Sequence, residues 1–249
     1  MKKLILTLFL AVFSLPAVAA GISDMTPAER QAFRSEVRAY LLDNPEVLVE
    51  ALQILDKRQQ AAKAKGDTDL VSTNAKAVFH DGFSYSGGNP DGNITLVEFQ
   101  DYRCTYCRRA HDEVKELVKS DGNIRLVVKE FPILGKQSTI SSRMAIATLI
   151  KAGPAAYIRL ADFLITFNGS LSKPAIRAIL TKFKIDADAV MAIMDSPEVT
   201  ARIAKTRALG QRLQISGTPT FVLGGQMLRG YVPLSGMRKL VAAARERTN

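Results

Sequence analysis

The feature that most constrains this chain is the junction Val97-Glu98-Phe99-Gln100-Asp101-Tyr102-Arg103-Cys104-Thr105-Tyr106-Cys107-Arg108-Arg109. An apolar run predicts a buried strand over residues 94–99, and a helical pattern starts at once over residues 104–119, stopped by Gly122. Cys104 and Cys107 are the chain's two cysteines. Their spacing places both sulfurs near the first helical turn, where unpaired N–H groups and the helix dipole favour an anion. The thiolate is the reactive form of cysteine, so this position lowers a thiol pKa and makes a nucleophile. The junction reads as a dithiol–disulfide redox centre. Cys104, nearer the helix start and expected to be the more exposed of the two, is assigned the attacking thiolate. Cys107, one turn in, is the resolving thiol that closes on a mixed disulfide.

Two other uses of the pair are weaker. A bridge three residues apart closes a small loop and gains little from chain entropy, which argues against a purely structural disulfide. Cys104, Cys107 and His111 share a helical face, but structural zinc takes four ligands and the one other histidine is His80. No metal is expected, and no cofactor beyond the redox-active disulfide Cys104–Cys107 itself.

The N-terminus has the pattern of an export signal over residues 1–20. Lys2 and Lys3 precede a nearly apolar run from Leu4 to Leu15, Pro16 breaks it, and Ala17-Val18-Ala19-Ala20 supplies small residues for cleavage. The run falls short of the roughly 20 residues of a spanning helix, and no cysteine at the cleavage point invites a lipid anchor. The expectation is a soluble protein of the bacterial periplasm. The formal net charge is +10, but Lys and Arg are dispersed through amphipathic stretches. A solvated basic surface is therefore expected, and no nucleic-acid partner.

From Thr26 to Lys65 the pattern is helical. Thr26-Pro27-x-Glu29 reads as an N-cap with Pro at the first helical position. Asp43-Asn44-Pro45 interrupts the pattern, and Gly66-Asp67 is expected to end it. Val47, Leu48, Ala51, Leu52, Ile54 and Leu55 form an apolar stripe that must be covered, either by its own domain or by copies in an oligomer. The layout is thus a helical extension over residues 21–75 and a second domain over 76–249. In the latter, residues 78–85 are expected as a first strand, Gly87 to Gly92 as a turn, and 124–131 as a strand following the Cys-x-x-Cys helix. Residues 138–195 read as an all-helical insertion. A helix opened by Pro197 precedes Gly217-Thr218-Pro219-Thr220-Phe221, a hairpin turning at Gly224-Gly225, and a closing helix over 233–247.

This order, together with Leu-Val-Glu-Phe-x-Asp-Tyr before the cysteines and Gly-Thr-Pro-Thr-Phe before a hairpin, resembles the DsbA-like thiol–disulfide oxidoreductases. The fold class so implied is α/β: a thioredoxin-like fold with an inserted all-helical subdomain, here with an N-terminal helical extension. By layout, that extension resembles the stalk of ScsC-like and DsbC/DsbG-like disulfide isomerases, which oligomerise through N-terminal segments. A family of exported surface-antigen proteins has a similar layout.

The resemblance implies a cis Pro219 facing the cysteines, and a Thr218 backbone that meets an extended substrate by strand-like hydrogen bonds. Thr at 218 resembles the isomerases, whereas the DsbA prototype has Val. Thr105 and Tyr106, between the cysteines, join the substrate-binding set; strongly oxidising prototypes carry a His there. Glu98 would assist proton transfer around the buried thiol, with Lys129 as either its partner or a surface cation. Phe131, Pro132, Ile133, Leu134, Tyr231 and Val232 are candidates for an apolar rim. The function implied is a periplasmic oxidase or isomerase acting on unfolded or misbridged exported proteins, recycled by a membrane redox partner protein and possible as a homo-oligomer through Thr26–Lys65. The alternative is an exported oligomeric scaffold or metal-binding thioredoxin-fold protein without exchange activity.

Overall fold

The computed structural model describes residues 24–247; the export signal read over residues 1–20 lies outside them. The chain divides into two compact units, one up to Gln59 and one from Gln60 on.

In the first unit, α1 (Pro27–Asp43) opens with a capping box. The Thr26 hydroxyl accepts from the Glu29 N–H at 3.3 Å, and the Glu29 carboxylate accepts from the Thr26 N–H at 2.8 Å. α1 has no buried residue. Phe33, Val37, Tyr40 and Leu42 are exposed, as are Leu48, Val49, Leu52, Ile54 and Leu55 in the first half of α2 (Glu46–Thr73). α2 runs past Gly66-Asp67, correcting the expected stop. A helical Gly costs only about 1 kcal/mol against Ala, and the last turns recover it: Val71 is buried in the core and Asp67 pairs with Arg229 at 2.7 Å.

The second unit is built on one five-stranded sheet, ordered β1 (Tyr85–Gly88), β3 (Ile124–Glu130), β2 (Ile94–Gln100), β4 (Thr220–Leu223), β5 (Gln226–Arg229). β2 and β3 are parallel and joined by α4 (Thr105–Asp121); the other pairings are antiparallel. The strand expected over residues 78–85 is corrected. Ala75–Phe79 is a short helix, α3, that buries Val78, and the strand begins at Tyr85 and runs through Gly87-Gly88. Those glycines looked like a turn. Gly88 pairs with Arg125 at φ 69°, and a Cβ there would lie 2.4 Å from the Ile124 carbonyl oxygen.

Three apolar clusters hold the unit. On one sheet face, Ala110, Val114 and Leu117 of α4 and Met237 and Val241 of α9 (Leu234–Glu246) cover Leu96, Leu126, Val128 and Phe221. On the other, Val71, Val78, and Leu209 and Leu213 at the end of α8 (Pro197–Arg212) cover Val97, Phe99, Val127 and Val222. Gly210 of α8 is needed there, because a Cβ would meet the Phe131 ring at 2.5 Å. The third cluster fills the helical insertion, α5 (Lys136–Thr166), α6 (Lys173–Lys182) and α7 (Ala187–Ile193), and reaches Tyr102, Cys104 and Cys107. α5 is broken at Gly153, φ 78°, just before Pro154.

Candidate active site

The chain leaves β2 at Gln100 and enters α4 within five residues, so Cys104 becomes the N-cap of the helix. Asp101 builds this turn, a role the sequence reading missed. Its carbonyl accepts from the Cys104 N–H at 3.0 Å, and its fully buried carboxylate accepts from the backbone N–H groups of Arg103 at 2.8 Å, Ile133 at 2.8 Å and Leu134 at 3.0 Å. One side chain thereby fixes both the cysteine turn and the loop after β3. Arg103 and Arg108 then tie the turn to the end of α5. Arg103 donates to the carbonyls of Phe167 at 3.2 Å and Gly169 at 2.6 Å, and Arg108 donates to those of Tyr102 at 3.1 Å and Phe167 at 3.3 Å and to the Asn168 side chain.

Both cysteines are free thiols. Cys104 is the more open of the two, 7% exposed against 1% for Cys107, so its sulfur is only partly accessible. The cover comes from the Thr218–Pro219 loop, whose peptide bond is cis; the Cys104 Sγ lies 3.0 Å from the Thr218 carbonyl oxygen. As a thiol Cys104 donates there. As a thiolate it accepts from Cys107 instead, and that hydrogen bond is the largest cause lowering the Cys104 pKa, to about 5. Burial works against this, and Thr218 and the N–H groups of Cys107 and Tyr106 reinforce it. The buried Thr218 hydroxyl makes no well-formed hydrogen bond, and its approach to the sulfur adds to the lowering. The same S–H···S contact pushes Cys107 up, with burial and the Glu98 charge adding to it.

Glu98 lies on β2, 4% exposed. Burial raises its pKa to about 8, with the charges of Cys104 and Glu130 adding to the shift. Lys129 is neither its partner nor a surface cation. Strand alternation turns it to the opposite sheet face, where it is fully buried and pairs with Asp81 at 2.6 Å. His111 bonds Asp162 at 3.0 Å, and among the described residues no group of three or more His, Cys, Asp or Glu could hold a metal ion.

The remaining expected residues divide. Thr105 and Tyr106 are exposed at the helix start, and Ile133 and Leu134 are exposed on the loop that Asp101 holds. Phe131 and Pro132 are buried and belong to the core. Tyr231 is half-buried: it donates to Glu113 at 2.6 Å and Arg109 stacks on its ring at 4.3 Å.

A thioredoxin-like sheet that sets a Cys-x-x-Cys at a helix start against a cis-proline loop defines the class of thiol–disulfide oxidoreductases. The chain belongs to the DSBA-like thioredoxin domain family, whose model matches residues 95–242. Residues 29–62 match the copper resistance protein ScsC N-terminal domain. Among solved structures, a thioredoxin-like oxidoreductase from Silicibacter pomeroyi is 38% identical, covering 70% of this chain and 98% of that one, with a TM-score of 0.64. The thiol–disulfide exchange protein α-DsbA2 from Wolbachia pipientis is 26% identical, covering 73% and 97%, with a TM-score of 0.68. A Proteus mirabilis ScsC variant shares the fold over 91% of this chain and 100% of that one, at 23% identity and a TM-score of 0.65. The chain spans about a quarter of the length of the curated relatives it first matches, Na(+)/H(+) antiporters NhaA such as that of Herminiimonas arsenicoxydans, 27% identical over 65% of this chain and 25% of that protein. No helix among the described residues is long and apolar enough to cross a membrane.

Proposed function

We propose that the protein exchanges disulfides with exported proteins in the periplasm through Cys104. The observation that carries this reading is the asymmetry of the pair: one thiol lowered to about 5 at the helix start under the Thr218 carbonyl, and the other raised and enclosed. The Cys104 thiolate attacks a partner disulfide. A Cys104–partner bond forms, the partner S–S bond breaks, and one partner sulfur leaves as thiolate. Cys107 passes its proton to the Glu98 carboxylate, and its sulfur attacks Cys104. The internal disulfide closes and the second partner sulfur leaves as thiolate. The protein ends oxidised by two electrons and the partner reduced by two. The reverse sequence donates a disulfide to a partner dithiol, and a membrane redox protein would then restore the working state. Thr218 and Pro219 would align the partner chain, with Thr105, Tyr106, Ile133 and Leu134 as contact surface. Trapping with Cys107→Ser tests this: a partner should remain linked to Cys104, and a variant that captures no exported protein contradicts it.

An isomerase reading is favoured over an oxidase by one observation, the uncovered apolar residues of α1 and early α2. Such a stripe supports a homo-oligomer through Thr26–Lys65, which would present several Cys104 sites to one misbridged substrate. Sedimentation of the mature protein tests it. An oligomer that unscrambles a misbridged substrate is expected, and a monomer that cannot do so returns the assignment to an oxidase.

A further inference from the structure

Besides Asp101 and Glu98, a third buried carboxyl stands beside the site and takes no part in the steps above. Glu130 closes β3, level with Gln100 of β2, and is 6% exposed. Strand alternation places Glu98, Gln100, Val128 and Glu130 on the sheet face covered by α4. The Glu130 Oε1 accepts from two tyrosine hydroxyls, Tyr102 at 2.7 Å and Tyr157 at 2.6 Å. Its Oε2 is buried without a hydrogen-bond partner, as is the Ser142 hydroxyl of α5. Most buried polar atoms have a hydrogen-bond partner; an Oε2 without one leaves the Glu130 anion poorly stabilised, so the group carries a proton over part of its working range. Tyr102 connects this cage to the catalytic turn, two residues before Cys104.

We propose that Glu130 is a positioning residue for the exchange reaction: its charge, governed by the Tyr102–Tyr157 cage, sets the pH at which Glu98 can take the proton of Cys107. This rests on the proton-acceptor role given to Glu98 above. The groups that face Glu130 are Glu98 from β2, Asp101 and Tyr102 from the turn, Tyr157 and Ser142 from α5, and Tyr85 from β1, stacked on Tyr157 at 4.6 Å. From α8, Thr206 shares a small cavity with it; Lys129, next along β3, is engaged by Asp81. Burial raises Glu130 to about 7, and the Tyr157 hydrogen bond, the approach of the Ser142 hydroxyl and the Tyr102 hydrogen bond work against that rise. Once ionised, Glu130 repels charge on Glu98 and holds it protonated to higher pH. Removing that charge lets Glu98 ionise, and so accept the Cys107 proton, at lower pH.

The test is a stopped-flow reaction of the reduced full chain with an aromatic disulfide whose thiolates absorb visible light. The first thiolate released reports Cys104 attack, and the second reports closure by Cys107. In E130Q the rising limb of the second phase against pH should move down by about half a unit or more, about a threefold faster closure at a fixed pH on that limb, with the first phase in place. In an E98Q background the same substitution should produce no shift. Y157F, which removes one donor and lifts Glu130, should move the limb the same way by less, and serves if E130Q does not fold. A limb that stays put in whichever of E130Q and Y157F folds, or an equal shift without Glu98, overturns the proposal. A wild-type protein that shows no first phase contradicts the assignment of Cys104 instead.

Discussion

The Asp101 carboxylate lies 3.0 Å from the backbone nitrogen of Leu134, 33 residues away, while its own carbonyl holds the Cys104 N–H. The cysteine turn and the exposed Ile133–Leu134 loop are therefore one mechanical unit. Asp101→Ala leaves three part-buried backbone N–H groups without this acceptor. A destabilisation of about 3 kcal/mol is expected in denaturant melts, with slower exchange from a disordered turn. A melt within 0.5 kcal/mol of wild type, as for an ordinary surface substitution, would mean the contact positions nothing.

Lys129 and Asp81 form a buried ion pair, 2.6 Å apart, and Lys129 also donates to the Ala77 carbonyl at 2.9 Å. This pair fastens α3 and the segment before β1 to the back of the sheet. Lys129→Ala should cost about 3–5 kcal/mol, because it strands Asp81. Replacing both residues with apolar side chains of similar volume should cost clearly less than the single change. A double-mutant cycle with no coupling would contradict the pairing.

The pH dependence of stability follows from Glu98. Its folded pKa is raised, to about 8, above an unfolded value near 4.5. The folded state thus holds a proton that the unfolded state releases. The stability this contributes is present below about 4.5 and is lost as pH rises through 8. Glu98→Gln does not titrate, so the melting temperature of the reduced variant, relative to wild type, should rise from pH 4.5 to pH 8. A constant difference would mean that Glu98 is not buried as a neutral acid.

The catalytic junction was legible because every cue in it is local. An apolar strand, an N-cap position and a Gly stop in the left-handed region, φ 70° at Gly122, all fall within 30 residues. The misreadings share a cause, which is that tertiary partners overrode local preference. Gly66 stays helical because residues beyond it dock, and Gly87–Gly88 form a strand because Leu126 and Arg125 pair with them. Lys129 was misjudged because its anion lies 48 residues upstream. Glu130 carried no signal at all, since its tyrosines come from 28 residues before it and 27 after, and nothing local brings them together.

The central claim is that Cys104 is the ionised, attacking sulfur and Cys107 its protonated reserve. Alkylation of the reduced protein by a small iodoacetamide at pH 6, mapped by mass spectrometry, tests it most directly. With Cys104 lowered to about 5 and Cys107 raised, the label should fall on Cys104, with a rate that drops only as the pH approaches 5. Label on Cys107 first, or no label on either sulfur until the pH nears that of an ordinary thiol, would contradict the account.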